Sequence, residues 1–151
     1  MDTIVLISCV KKKVETPEGP IPAMELYDST LFKESLRYAR EVLNVSDDRI
    51  FILSAEHHLL PLDKRILKYE KTLNNATSKE IEDWASIVWK QLSDRFGRNT
   101  KYIILAGKKY HSKLIREGRI SNYDLPLDGL PMGKRIQALQ KANKLRKRIT
   151  K

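Results

Sequence analysis

The chain is expected to fold as an α/β protein: a single-domain three-layer sandwich on a small, mostly parallel sheet, with a basic C-terminal helix. Three observations lead there. Short apolar runs at Thr3–Ile7, Ile50–Leu53 and Lys101–Leu105 have the length and composition of strands buried on both faces. The segments between them repeat apolar residues at helical spacing. Strands that alternate with helices in this way make parallel sheets with right-handed crossovers. Each run also ends in small or polar residues, Ser8-Cys9, Ser54-Ala55 and Ala106-Gly107.

Taken in order, Thr3 to Ile7 is the first strand. Val10 to Met24 holds three lysines and then Pro17, Gly19, Pro20 and Pro22, so it reads as a long loop. Loops of that length in compact domains usually carry function or motion. Ser29 or Thr30 caps a helix that runs to about Leu43 and buries Phe32, Leu36, Ala39 and Leu43. After the central strand, Leu59 and Leu60 lead to Pro61, which is expected to end regular structure. Thr77-Ser78-Lys79-Glu80 is a capping box. It opens a helix that buries Ile81, Trp84, Ala85, Val88 and Leu92 and that Gly97 closes, with Trp84 and Trp89 read as packing residues. The third strand leads into a short helix, Lys108 to Glu117, stopped by Gly118 at its C′ position. Ser121 to Pro131 is a loop. Met132 onward is a helix with an apolar stripe of Ile136, Leu139, Ala142 and Leu145. Part of Asp63–Leu73 or of Ser121–Leu127 is expected to add a strand at a sheet edge. Repeats and low-complexity tracts are absent, and residues 1–151 read as one domain.

With 41% apolar and 32% charged residues, the composition is that of a soluble globular protein. The first apolar run is too short for a membrane span, and its lysines follow it, whereas a signal peptide carries its charge in front. A cytoplasmic location and no membrane partner are therefore expected. Cys9 is the only cysteine, which excludes an internal disulfide and a cysteine-based zinc cluster. The net charge is +10, and residues 134–151 contribute eight basic side chains and no acid. Lys134, Arg135, Lys144, Arg146, Lys147 and Arg148 are accordingly candidate nucleic-acid contacts. The competing reading of this arm is a solubilising terminal helix.

Parallel strands place Ser8-Cys9, Ser54 to His58 and Ala106-Gly107 at one edge of the sheet, where open α/β sheets bind ligands. Gly107, where a strand turns into a helix, is followed by Lys108 and Lys109 and suits a phosphate or carboxylate. Lys11 and Lys12 are further phosphate candidates. Glu56 and His57 are candidate acid–base groups, and Asp63 is a candidate to orient a group or stabilise positive charge. Adjacent His57 and His58 point apart in an extended loop and lack a third ligand, so no metal and no cofactor are expected. Tyr27, Tyr69 and Tyr110 lie in or beside the candidate loops and are candidates to stack on a nucleobase. Cys9 is read as a structural or minor ligand contact in preference to a nucleophile. Gly129 to Lys134 superficially suggests a P-loop, but it is one residue short, lacks the Ser or Thr after the lysine, and follows no strand.

These residues resemble the YaaA-like proteins, bacterial peroxide-stress proteins reported to bind DNA, with an LISPAK-like first strand and an ILSG…LLRPLD…Y central block. The matching stretches are Ile4 to Lys11, Ile52 to Ala55, Leu60 to Asp63 and Tyr69. The chain is still more similar to a small uncharacterised bacterial, archaeal and phage domain of the same appearance. That pattern falls here on Ser8, Cys9, Lys11, Lys12, Leu26, Tyr27, Ser29, Leu31, Phe32, Ser54, Ala55, His57, Tyr69, Thr72, Leu73, Ala106, Gly107, Tyr110, Pro126, Leu127, Gly129, Gly133 and Arg135. His58 stands where the family usually has glycine, and the chain is too short to carry YaaA's DNA-binding insertion. The resemblance implies a nucleic-acid or nucleotide context.

Together these readings lead to a nucleotide- or nucleobase-handling or DNA-acting protein, in base modification, excision or damage response. As an enzyme it would be a hydrolase or transferase acting on a nucleobase or nucleotide. Ser8, Cys9, Lys11, Lys12, Tyr27, Ser29, Ser54, Tyr69, Gly107 and Tyr110 would hold the ligand. The alternative is a non-catalytic nucleic-acid-binding protein that works through its basic helix, and a third reading is a nucleotide sensor.

Overall fold

A computed structural model describes residues 2–9 and 13–150. Its main sheet has five strands in the order β4-β3-β1-β6-β7. These are β1 (Thr3–Ser8), β3 (Ile50–Ser54), β4 (His58–Pro61), β6 (Lys101–Leu105) and β7 (Tyr123–Asp124). β1 pairs in parallel with β3 and β6, and β6 in parallel with β7, while β4 runs antiparallel to β3. The fold is thus the expected α/β class with a mostly parallel sheet. The edge strand at Tyr123–Asp124 falls in one of the two segments proposed for it.

Alternation along the strands sends side chains to two cores. Val5, Ile7, Ile50, Ile52, Ile103 and Leu105 meet α2 (Thr30–Arg37) and α5 (Met132–Leu145) on one face. Ile4, Leu6, Phe51, Leu53, Tyr102 and Ile104 meet α3 (Ser78–Arg95) and α4 (Lys108–His111) on the other. Leu6 and Ile7 are at most 1% exposed, and truncating either to alanine would cost about 2–5 kcal/mol. Ser29 caps α2, its hydroxyl accepting the Phe32 N–H at 3.1 Å, and a π-helical turn at Tyr38–Val42 prolongs that helix. The capping box on α3 forms as expected, with Thr77 and Glu80 exchanging their two bonds.

Pro61 ends regular structure as expected, as the last residue of the edge strand β4, where a residue without an N–H is tolerated. Four expectations are corrected. The Val10–Met24 segment is not all loop. Ile21–Pro22 forms β2, paired with β5 (Arg65–Ile66) in a separate two-stranded sheet, and Ala23 opens the short helix α1 (Ala23–Leu26). The helix after β6 spans only four residues, with turns from Ser112 to Gly118, whose φ of +85° ends the segment. The basic helix ends at Leu145, where Arg146 turns left-handed at φ +53° and the chain folds back until the Ile149 N–H reaches the Tyr38 hydroxyl at 3.0 Å. Leu145 is 53% exposed, so it does not belong to the buried stripe. Among the described residues no helix is long and apolar enough to cross a membrane.

The chain leaves β1 towards the α2 face and leaves β6 towards the α4 face. Neighbouring parallel strands whose connections diverge in this way open a crevice beyond their carboxyl ends. In this sheet that switch point lies between Cys9, after β1, and Ala106-Gly107, after β6.

Candidate functional site

Hydroxyls converge at this edge. The Tyr69 hydroxyl lies 2.5 Å from that of Tyr27 and 2.8 Å from that of Ser54. The Ser54 hydroxyl accepts the His57 N–H at 3.0 Å, and its carbonyl accepts the Trp84 indole N–H at 2.8 Å. Ser54 is therefore fixed by α3 and by the hairpin turn between β3 and β4. The His57 ring stands edge-on to Tyr69 at 5.2 Å, and the Lys13 ammonium lies over the Tyr69 ring, 4.4 Å from its centroid. That distance is within the range of a cation–π contact. An antiparallel bridge between Lys13 and Tyr27 sets this arrangement.

On the other side of the switch point, the Cys9 thiol donates to the Tyr110 hydroxyl at 3.2 Å, and the Leu73 N–H donates to the same oxygen at 3.4 Å. Tyr110 packs edge-on against Trp84 at 5.6 Å. The segments that follow β1, β3 and β6, with the loops that carry Tyr27 and Tyr69, thus supply one cluster.

Burial sets the protonation of these groups. It pushes the phenols of Tyr27, Tyr69 and Tyr110 well above their ordinary range, so they remain donors at any physiological pH. It pushes the Lys13 ammonium and the His57 and His58 imidazoles down. His57, half-buried and edge-on to Tyr69, is therefore held towards its neutral form beside the hydroxyls.

Of the residues expected at the site, Cys9, Tyr27, Ser54, His57, Tyr69 and Tyr110 are brought together, with Ser8 at the end of the same strand. Lys11 and Lys12 lie outside the described residues. Tyr27 and Tyr110 are 2% and 6% exposed, so neither offers a ring face to a base, which corrects the stacking reading for both. Ser29 uses its hydroxyl on its helix. Glu56 is exposed on the hairpin turn. Asp63 is removed from the site by strand register: β4 runs back along β3 until Pro61 pairs with Phe51, and Asp63 lies past that far end, exposed.

Arg135 does not belong to the outer basic face. It sits one turn before Leu139 on the packed side of α5, donates from Nε to the Leu130 carbonyl at 2.8 Å, and turns towards Gly107. Lys134, Lys144, Arg146, Lys147 and Arg148 are exposed as expected. Reading the sequence missed the inward turn of Arg135 and the seating of Lys13. The first was visible as the spacing of Arg135, Leu139 and Ala142, whereas nothing local indicated the second. Among the described residues no three metal-ligating side chains gather.

A cavity of about 380 Å³ opens beside α2 and touches the cluster only through Tyr27; a second, of about 310 Å³, lies under the C-terminal segment near Tyr38 and Ile149. Neither is lined by Cys9, His57, Tyr69 or Tyr110.

Over residues 4–141 the chain matches a protein family described as a family of unknown function (DUF6884). No curated protein and no solved structure matches it.

Proposed function

The chain belongs to the DUF6884 family of unknown function, and for it we propose a nucleotide- or nucleobase-handling role centred on the switch-point crevice. The observation that carries this reading is the convergence of Cys9, Tyr69, Tyr110, His57 and Lys13 beyond the carboxyl ends of three strands. Cationic Lys108, Lys109 and Arg135 stand at the same edge, so the ligand is anionic. The resemblance to YaaA-like proteins and the net charge of +10 favour a nucleotide over other anions. In this reading Tyr69 donates a hydrogen bond to the ligand and neutral His57 accepts a proton. The Tyr27–Tyr69–Ser54 line of hydroxyls can reorient as that proton moves. The linked bonds of these hydroxyls permit either direction.

Thermal shift with nucleotides, nucleosides and free bases tests the proposal. A ligand present at 100 times its Kd stabilises by about 2.7 kcal/mol. For a chain of this size that raises Tm by about 5–10 °C. The shift is expected in the wild type and is expected to be lost in H57A and Y69F. Absence of a shift with every nucleotide, nucleoside and base at millimolar concentration would refute the reading.

One observation favours a second reading, non-catalytic binding to a nucleic-acid backbone. Lys134, Lys141 and Lys144 line the exposed side of α5, Arg146 to Arg148 follow, and the helix carries no acid.

A further inference from the structure

We infer that Arg135, set against the Gly107 backbone, is the phosphate seat of the switch-point crevice; this rests on the nucleotide reading above and narrows it to phosphorylated ligands.

Arg135 is half-buried, one of its five N–H donors is used on the Leu130 carbonyl, and among the described residues no carboxylate pairs with it. A half-buried guanidinium without a carboxylate partner keeps its remaining donors for an incoming anion. Its free edge is the planar fork that matches phosphate or carboxylate with two parallel bonds. A Cβ placed on Gly107 would lie 3.6 Å from Nη1, in ordinary van der Waals contact, so the guanidinium stands against the face of Gly107 that carries no side chain. Four residues make too short a helix for α4 to hold an anion by its own N-terminus, which leaves the charge to side chains. Lys108 and Lys109 follow at once, and Lys109 is anchored to the Asn74 carbonyl at 2.9 Å. Three cations at one strand end suit a dianionic phosphate better than a single carboxylate.

Calorimetric titration with the ribo- and deoxyribonucleoside 5′-monophosphates and the matching nucleosides tests this. At least one monophosphate is expected to bind at least 30-fold more tightly than its nucleoside. R135Q is expected to bring the two together, R135K to lose about tenfold by keeping the charge without the fork, and G107A to weaken the monophosphate alone. Thermal melts of all three variants check the fold, and G107A keeps the question open to refutation if R135Q does not fold. A nucleoside that binds as tightly as its monophosphate, or R135Q and G107A with wild-type affinity, overturns the phosphate seat and leaves the crevice reading standing. Failure of every nucleotide and nucleoside to bind the wild type overturns both.

Discussion

His58 begins β4 with φ +62°, in the left-handed region that side chains other than glycine rarely adopt. Its Cβ is crowded against the following carbonyl, at a cost of roughly 1–2 kcal/mol. Comparing H58G with H58A isolates this cost, because both variants remove the half-buried ring and differ only in the methyl. Glycine returns roughly 0.5–1 kcal/mol of that relief as unfolded-chain entropy. H58G should thus exceed H58A by about 0.5–1 kcal/mol, or about 1–4 °C in Tm for a chain of this size. Glu56, two residues earlier on the same hairpin turn, has no positive φ. There the order should reverse, with E56A above E56G by about 0.5–1 kcal/mol. Urea and thermal unfolding followed by far-UV circular dichroism measure all four variants. If H58G melts at or below H58A while Glu56 behaves as stated, the backbone of His58 is not strained.

Y69F removes the hydroxyl between Tyr27 and Ser54, and leaving a buried partner unsatisfied should cost about 1–3 kcal/mol in urea unfolding. In an alkaline ultraviolet titration of the folded protein, no more than two of the six tyrosines should ionise by pH 11. Burial pushes the phenols of Tyr27, Tyr69 and Tyr110 up from the ordinary value and that of Tyr102 up to about 12. Both His57 and His58 titrate below the ordinary 6.5 when folded, so below that pH the unfolded chain binds protons first. Stability should fall as pH drops from 6.5 towards the folded values, and an H57Q/H58Q double variant should flatten that slope. If the basic face of α5 binds duplex DNA, three to five phosphate contacts give a log–log salt slope of about −3 to −4.5. K141E/K144E should reduce its magnitude by about 1.8; an unchanged slope makes the face a solubility device.

How far the molecule is legible in its sequence depends on how local each determinant is. The strands at Thr3, Ile50 and Lys101 are runs of apolar residues, and the α3 cap is four consecutive residues, so both are readable. β4 is not, because four residues ending in Pro61 become a strand only by pairing with β3, and edge position is a tertiary fact. The same hairpin carries Asp63 away from His57: one antiparallel strand returns the chain to the opposite end of the sheet. Strand ends placed Cys9, Ser54 and Gly107 correctly, since parallel pairing aligns carboxyl ends. The tyrosines gather, but Tyr27 and Tyr110 do so as buried scaffold, because the segments that hold them pack against the ends of two cores. Charge alone puts Arg135 among the outer cations, although its spacing to Leu139 sets it on the packed side.

The carboxyl edge therefore divides into two kinds of residue. Ser54, Tyr27 and Tyr110 are buried, their hydroxyls are bonded within the protein, and Trp84 and the strand ends hold them in place. A buried network of this kind is rigid and costly to break, so its variants should lower stability before they alter any pH profile. His57, Lys13 and Arg135 are half-exposed, and burial weakens the protonated form of the first two. In the proposed reading they face the ligand, with Tyr69 joining the two groups through its hydroxyl and its ring. Replacing His57 or Arg135 should change affinity or pH dependence with little change in Tm, whereas replacing Tyr69 should change both. Equal losses of stability at all three positions would mean that the cluster is only a way of closing the end of the sheet.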